Sequence, residues 1–332
     1  AVDGFAFGIQ SLNLNRPTQL KVVTRVAAGN PTDVVIQAGQ AVRIYTGAIM
    51  PVGCETVAMQ EDCNFNGDIV TIPPGLSVGA NSRAQGEDVR CGEIILEPGA
   101  LLRPQDVALA AATGLGNIKV FKPVKVAVFS TGDEVSEPGE TLFSGSIYDS
   151  NRYMLLALLK SLPVTTTDLG ILPDNATRLF SALNAASANH DVLLTSGGVS
   201  VGDEDHIKEV VQKNGYLHLW RLAIKPGRPL ALGQMNGKPF IGLPGNPVAA
   251  MVTFLRFARP LLLRLGGAKV VNPQLYPVLA QFNHRKKKNR REWLRANLVP
   301  DKDGVLWAHK FQVEGAGIIR SLTETSGLVE LP

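Results

Sequence analysis

Asp191-Val-Leu-Leu-Thr-Ser-Gly-Gly-Val-Ser-Val-Gly-Asp-Glu-Asp205 decides how the rest of the chain is read. A short apolar run ends in Gly197, Gly198, Gly202, Ser196 and Ser200, followed by the carboxylates Asp203, Glu204 and Asp205. The run predicts a buried strand that opens into a site. Glycines let the backbone approach a bulky anion, and the two hydroxyls and free N–H groups can donate to it. Asp203-Glu204-Asp205 would begin a helix, where acids suit the positive end of the dipole and could also hold a divalent cation. The plainer alternative is a glycine-rich strand-to-helix turn with acidic capping.

Working outward, the same texture recurs from Lys125 onward. Strands are expected at 125–130, 164–170 and 191–196, alternating with helices near 151–162, 175–188 and 204–214. Such alternation implies a parallel sheet covered by helices. In these sheets ligands sit outside the carboxyl ends of the strands. Three acidic loops fall there: Ser130-Thr-Gly-Asp-Glu134, Gly170-Ile-Leu-Pro-Asp174 and the glycine-rich loop itself. Further strands at 217–224 and 240–243 and a long helix from Pro247 complete the layer. Two rigid loops interrupt it, Ile224-Lys-Pro-Gly-Arg-Pro229 and Leu243-Pro-Gly-Asn-Pro-Val248. Proline fixes φ and lowers the entropy of holding a loop in shape. Lys225 and Arg228 add the charge that an anionic ligand needs, although each segment alone could be a turn with solvated cations.

On the amino-terminal side, residues 1–92 carry short β-rich runs at 20–26, 41–45, 56–60 and 68–72, separated by turn signals such as Asn66-Gly67. Residues 102–113 read as a connector helix with Pro104 in its first turn and Gly114 as its stop. After Gly266-Gly267 short strands return at 275–282, 292–298 and 305–310, with Asp303-Gly304 as a hairpin signal. A small β-barrel or sandwich is expected there. No nucleotide-binding glycine fingerprint is present, because Thr113-Gly-Leu-Gly116 follows a helix and lacks the spacing.

The chain has 332 residues, 45% of them hydrophobic, enough for a sizeable core and two or three domains. Its three cysteines, Cys54, Cys63 and Cys91, form no C-x-x-C pair, so neither a disulfide framework nor a zinc site is indicated, and a reducing cytoplasm is expected. The apolar stretch 248–265 is interrupted by Arg256, Arg259, Pro260 and Arg264, which excludes a membrane span. The sequence opens Ala1-Val-Asp3 without an initiator Met, as a fragment would. Removing the six Lys and Arg residues of His284-Arg-Lys-Lys-Lys-Asn-Arg-Arg291 would take the formal charge from +4 to −2. That run lacks interleaved aromatics and reads as a solvated hairpin tip or an anion site at its flank, with nucleic acid as a third reading that could be tested by salt-dependent DNA retention.

Eight segments in order carry a resemblance over nearly the whole length. They are Ala1-Val-Asp-Gly-Phe-Ala6, Arg43-Ile-Tyr-Thr-Gly-Ala48 with Pro51-Val-Gly-Cys-Glu55, Gly86-Glu-Asp88, Phe129-Ser-Thr-Gly-Asp-Glu134, Ile147-Tyr-Asp-Ser-Asn151, 195–205, 224–229 and 243–247. The chain resembles the molybdopterin molybdenumtransferases, the bacterial MoeA proteins and the gephyrin E domain. The resemblance implies an α/β plus β fold: a β-rich module at 1–92, a connector module at 93–123 whose remainder would precede residue 1, a parallel-sheet molybdopterin-binding domain at 124–268 and a C-terminal β-barrel at 269–332.

It also implies the last step of molybdenum cofactor synthesis, in which adenylated molybdopterin is bound, AMP is released and molybdate is inserted. Asp174 and Asp205 would hold Mg²⁺ against the diphosphate. Glu134 would support the metal or act as a general base, against the alternative of a turn carboxylate. Lys225, Arg228 and Arg221 would hold oxyanion or phosphate oxygens. Ser196, Gly197, Gly198, Ser200, Gly202, Asp203 and the loop Pro244, Gly245, Asn246, Pro247 would line the pterin-nucleotide site. Asp3, Thr46 and Asp88 would complete the site of a second subunit in an elongated homodimer. Their plainer roles would be turn ordering for Asp3 and Thr46, and pairing with Arg83 or Arg90 for Asp88.

The expected partners are a second copy, a small pterin nucleotide and the upstream molybdopterin adenylyltransferase, with no nucleic acid and no membrane. Two departures weaken the oxyanion contacts: Ala249 stands where the family loop carries serine, and Gly315-Ala316 replaces a glycine-serine pair, with Ser321 remaining. Rival readings are a molybdopterin adenylyltransferase sharing the Thr-Ser-Gly-Gly loop, and a gephyrin-like scaffold that binds a receptor peptide.

Overall fold

The computed structural model describes residues 2–13, 15–198 and 206–332, with 219 and 220 described by their backbone alone. Two compact units divide the chain, Ala1–Ile95 and Leu96–Pro332.

The first unit is built on strands β1 (Gly4–Phe7), β2 (Thr18–Val26), β3 (Gln40–Ile44), β4 (Thr56–Met59), β5 (Asn64–Asn66) and β6 (Ile69–Ile72). They form one sheet in the order β4-β1-β3-β2-β6-β5. Alternation within β1 divides its side chains between two cores. Phe5 and Phe7 pack with Leu20, Val70 and Ile72, whereas Ala6 packs with Val26, Val42, Ile44 and Val57. Strand β1 lies between β3 and β4 and is fully buried. It was not expected as a strand, because four buried residues show no polar alternation to read.

The second unit opens with α1 (Pro104–Ala112), whose Pro104 occupies the first turn. Asp106 accepts from the Arg103 backbone N–H at 2.8 Å, closing that end. The alternating region follows: β7 (Val124–Thr131), β8 (Val135–Ser136), β9 (Ile147–Tyr148), α2 (Asn151–Leu159), β10 (Val164–Leu172), α3 (Ala176–Asn189), β11 (Val192–Ser196) and α4 (His206–Asn214). The chain continues through β12 (Gly215–Arg221), β13 (Ile224–Lys225), β14 (Pro229–Met235) and β15 (Lys238–Leu243) into α5 (Pro247–Thr253) and α6 (Arg259–Leu265). A five-residue π segment, Phe254–Ala258, joins the two helices. Pro260 supplies no N–H to the turn before it, and a widened turn accommodates that loss.

Strand β7 is buried at every position except Lys125, as a central strand covered on both faces must be. Its Val126 and Val128 face Leu155, Leu159, Ala250 and Phe254, while Ala127 and Phe129 face Leu179, Leu183, Ile207 and Val211. Helices α2, α5 and α6 therefore cover one face, and α3 and α4 the other.

The sheet expected to be parallel is mixed. Strands β10, β7, β11 and β15 run parallel, but β14 and β12 continue the sheet antiparallel, in the order β10-β7-β11-β15-β14-β12. A two-residue hairpin produces the reversal: Met235 pairs with Lys238, and Asn236 and Gly237 between them both have positive φ, 50° and 74°. This is the turn that Asn-Gly favours, because its twist matches that of the flanking strands.

The C-terminal strands are β16 (Leu279–Ala280), β17 (Arg291–Pro300), β18 (Leu306–Lys310) and β19 (Gly327–Leu331), with a short helix α7 (Arg320–Thr323). The expected barrel is not closed. The strand order is β13-β17-β18-β16 with β19 also on β17, and among the described residues no pairing joins the two ends. Pro273 and Pro277 confine the strand expected over 275–282 to two residues, because proline cannot donate to a ladder. The other edge is occupied by β13, which belongs in sequence to the α/β region. No helix of the described residues is long and apolar enough to cross a membrane.

Candidate active site

The connections leaving the four parallel strands alternate between faces, so their carboxyl ends border a crevice of the kind that receives ligands in open α/β sheets. Glu134 follows β7, Asp174 follows β10, Ser196 to Gly198 end β11 and Pro244 to Pro247 follow β15. Strands β7 and β10 are adjacent, with Thr131 beside Leu172, so Glu134 and Asp174 emerge at the same end of the sheet. Glu134 is exposed and Asp174 half-buried. Ser200, Gly202, Asp203 and Asp205 lie outside the described residues.

Hydrogen bonds join the glycine-rich turn to the Leu243-Pro-Gly loop. Gly197 N–H donates to Leu243 O at 3.1 Å. The Ser196 hydroxyl donates to Pro244 O at 3.1 Å and accepts from Asn151 Nδ2 at 2.9 Å, while the same Asn151 amide donates to Gly245 O at 2.6 Å. Asn151, at the start of α2, thus clamps two site loops. Around it, Ser130 Oγ, Thr131 Oγ1, Thr195 Oγ1 and Asn151 Oδ1 are buried with no partner among the described residues. Buried polar atoms ordinarily find a partner, so these four mark a polar patch at the strand ends whose hydrogen-bonding capacity the described residues leave unused.

Behind the crevice Arg152 is 3% exposed and pairs with Asp149 at 2.9 Å, and also with Glu137 and Asp168. Burial lowers the guanidinium's pKa, but the hydrogen bonds it donates to Asp168 and Asp149 outweigh it and raise the value. Asp168 in turn accepts from Gly170 N–H at 2.9 Å. One buried arginine therefore fixes both the segment after β7 and the middle of β10.

Further along, a cleft of about 270 Å³ is lined by both proline loops and the C-terminal sheet. Lys225, Arg228, Pro244 and Asn246 reach it from the α/β side, and Arg290, Arg295 and Glu314 from the other. The backbone turns sharply at Gly227, where φ is +96° and a Cβ would lie 2.3 Å from Thr253 Cγ2. Arg221, on β12, is exposed and is not among the lining residues.

Sequence reasoning missed Arg295 and Glu314, and it saw Arg290 only as part of a basic run. Arg295 is 8% exposed. Its Nε donates to Ser321 Oγ at 2.9 Å and its Nη2 to Val313 O and Gly315 O. The serine that remains near the C-terminus is therefore committed to orienting this arginine. Ala316 contributes its carbonyl, which accepts from Val248 N–H at 2.9 Å. The signal for Arg295 was its place four residues past the basic run, among apolar neighbours in the first half of β17.

In the first unit, Asp3 Oδ1 accepts from Thr46 N–H at 2.6 Å and from the Thr46 hydroxyl at 2.8 Å. These bonds, the backbone one foremost, hold the Asp3 carboxyl below its ordinary 3.8. The pair orders the turn after β3, the plainer of its two expected roles. Asp88 is exposed. Among the described residues no cluster of three or more metal-ligating side chains forms. The donors present at the sheet end are nevertheless hard carboxylate oxygens, the type Mg²⁺ requires.

An α/β sheet with a polar crevice at its carboxyl ends, joined to a cationic cleft under a β domain, defines the class: a phosphate- or oxyanion-handling enzyme. Three family models tile the chain: the MoeA N-terminal region (domain I and II) over residues 1–114, a probable molybdopterin binding domain over 127–264 and the MoeA C-terminal region (domain IV) over 277–332. The molybdopterin molybdenumtransferase of Haemophilus influenzae is 37% identical over 333 residues, covering 100% of this chain and 82% of that protein. That of a Nostoc species is 35% identical over 343 residues, covering 100% and 78%. A crystal structure of the molybdopterin biosynthesis MoeA protein from Pyrococcus horikoshii matches with a TM-score of 0.79 and 28% identity, over 100% of this chain and 82% of that one. The chain belongs to the molybdopterin molybdenumtransferase family.

Proposed function

We infer that this chain is a transferase of molybdenum cofactor biosynthesis that inserts molybdenum into molybdopterin. The single observation that carries the reading is the cleft, in which Lys225, Arg228, Arg290 and Arg295 converge beside the loop that Asn151 ties to the glycine-rich turn. A tetrahedral dianion needs such a set of cations, and a pterin nucleotide needs the unpartnered hydroxyls next to it.

The finer proposal is that the substrate is adenylated molybdopterin and that AMP leaves as molybdate enters. Ser196, Gly197, Gly198 and Asn151 would seat the pterin nucleotide, with Ser200, Gly202 and Asp203 continuing the cradle. Asp174 and Asp205, supported by Glu134, would hold Mg²⁺, which when bound polarises the phosphorus and neutralises the leaving charge. Lys225, Arg228 and Arg295 would fix the oxyanion and exclude its reorientation. Asp3, Thr46 and Asp88 would complete the site of a second subunit, making a homodimer the active form. A cytoplasmic location and hand-over from a molybdopterin adenylyltransferase complete the proposal.

The test is turnover by the purified full chain with adenylated molybdopterin, Mg²⁺ and molybdate. Molybdate-stimulated AMP release and active cofactor are expected, and Asp205→Asn should abolish both while preserving the fold. Consumption of ATP with unmodified molybdopterin, and no AMP release from the adenylated form, would instead identify an adenylyltransferase.

A further inference from the structure

The cleft already contains an anion of the protein's own. Glu314 Oε1 lies 2.8 Å from Lys310 Nζ and 3.7 Å from His284 Nδ1, and Oε2 lies 3.5 Å from Lys225 Nζ. Arg295 also interacts with its charge. These four groups come from β18, the loop before β17, β13 and β17, so three cations and an imidazole from separate elements surround the carboxylate.

The side chain is nevertheless 53% exposed, while the backbone on both sides of it is pinned, since Arg295 Nη2 donates to Val313 O at 3.1 Å and to Gly315 O at 3.2 Å. Side-chain rotation alone would release Lys225. The second carboxylate on Lys225, that of Glu292, is 3.7 Å away and 1% exposed, and cannot leave without unfolding its strand. Lys225 therefore has one permanent and one displaceable counter-ion. Ala249 and Ala316 offer no hydroxyl to an oxyanion, so charge dominates what the cleft accepts.

Resting on the reading of this cleft as the oxyanion site, we propose that Glu314 is an internal counter-anion that occupies the oxyanion seat and is displaced by an incoming tetrahedral dianion. Glu314 thereby sets specificity. A dianion such as molybdate or tungstate outcompetes the carboxylate for Lys225, whereas a monoanion such as nitrate does not.

Calorimetric titration of the full chain with molybdate and with nitrate tests this. Glu314→Gln is expected to tighten molybdate binding about three- to tenfold, the range that release of partly exposed ion pairs supplies. It should also let nitrate compete. Glu314→Ala should behave alike, and Glu324→Gln, which removes the same charge beside Arg320 outside the cleft, should match the parent. Unchanged or weaker molybdate binding in both Glu314 variants, with unaltered melting temperature, overturns the proposal. Lys225→Met separates the two readings. If it loses molybdate while Glu314→Gln does not tighten, only the counter-anion role falls. If it binds as the parent does, or if neither protein binds molybdate, the oxyanion cleft falls and this inference with it.

Discussion

Lys225 stands in parallel register with Glu292, and its ammonium lies 3.7 Å from the buried Glu292 carboxylate. The pair joins the Lys-Pro-Gly-Arg loop of the α/β region to the longest strand of the C-terminal sheet. Glu292 also receives a hydrogen bond from His284 at 2.9 Å and one from the Lys287 backbone. Burial works to raise its pKa, but the His284 bond, Lys225 and the Lys287 N–H outweigh it and hold the carboxyl below its ordinary 4.5. A carboxyl depressed in the folded state contributes stability that is full above its unfolded value and lost as the pH falls through the folded one. Glu292→Gln should therefore cost about 1–3 kcal/mol at neutral pH. Its penalty should shrink below about pH 4.5, where the parent carboxylate takes up its proton. Thermal melts of parent and variant across pH 3 to 7 check this. Parallel curves throughout would contradict it.

Arg152 organises the opposite side of the site. Arg152→Met removes the partner of Asp149, itself 3% exposed, and leaves a buried carboxylate uncompensated. A loss of roughly 3–5 kcal/mol is expected from breaking one side of a buried pair. Urea unfolding should show a lower midpoint at unchanged slope. Arg152→Met with Asp149→Leu should recover part of the loss, since the orphaned charge is then gone.

Asn151 offers a functional test of the link between the two site loops. Asn151→Ala deletes two hydrogen bonds that hold the Ser196 hydroxyl and the Gly245 carbonyl together. At about 1 kcal/mol each, their loss should raise KM for the pterin nucleotide about tenfold or more. Ser196→Ala breaks the same connection, so the double variant should lose less than the two singles combined. Full additivity would show that the two residues act separately.

Gly227→Ala places a Cβ against Thr253 Cγ2 at a backbone φ of +96°. Steric overlap and the left-handed backbone together should cost about 2–3 kcal/mol. Thr253→Ser removes the clashing methyl but keeps the hydroxyl that donates to Ala249 O at 2.7 Å. The double variant should regain the steric part only, and a denaturation series on the four proteins measures the split.

Much of the α/β layer was legible in the residues because its strands obey a local rule. Strand β11 ends at Ser196 as the apolar run predicts, and β7, α2 and α3 fall within a few residues of their expected bounds. The antiparallel edge was missed although Asn236-Gly237 announces it, since Pro229 to Met235 follows a loop rich in proline and reads as its continuation. The candidate site divides in the same way. Glycines, prolines and Lys225 carry chemistry in their own spacing and were found, whereas Glu292, Arg295 and Glu314 acquire meaning only opposite Lys225.

Backbone preference and hydrophobic period act over a few residues, so the sequence by itself determined the strand-helix alternation, the glycine turn after β11, the rigid proline loops and the family to which they belong. Which of its charges are buried, which share a cleft and which merely order a turn was decided by tertiary structure. Lys225 and Glu314 are 89 positions apart in the chain yet 3.5 Å apart in the fold. That closeness depends on β13 pairing with β17, a long-range contact that no local pattern in either strand encodes.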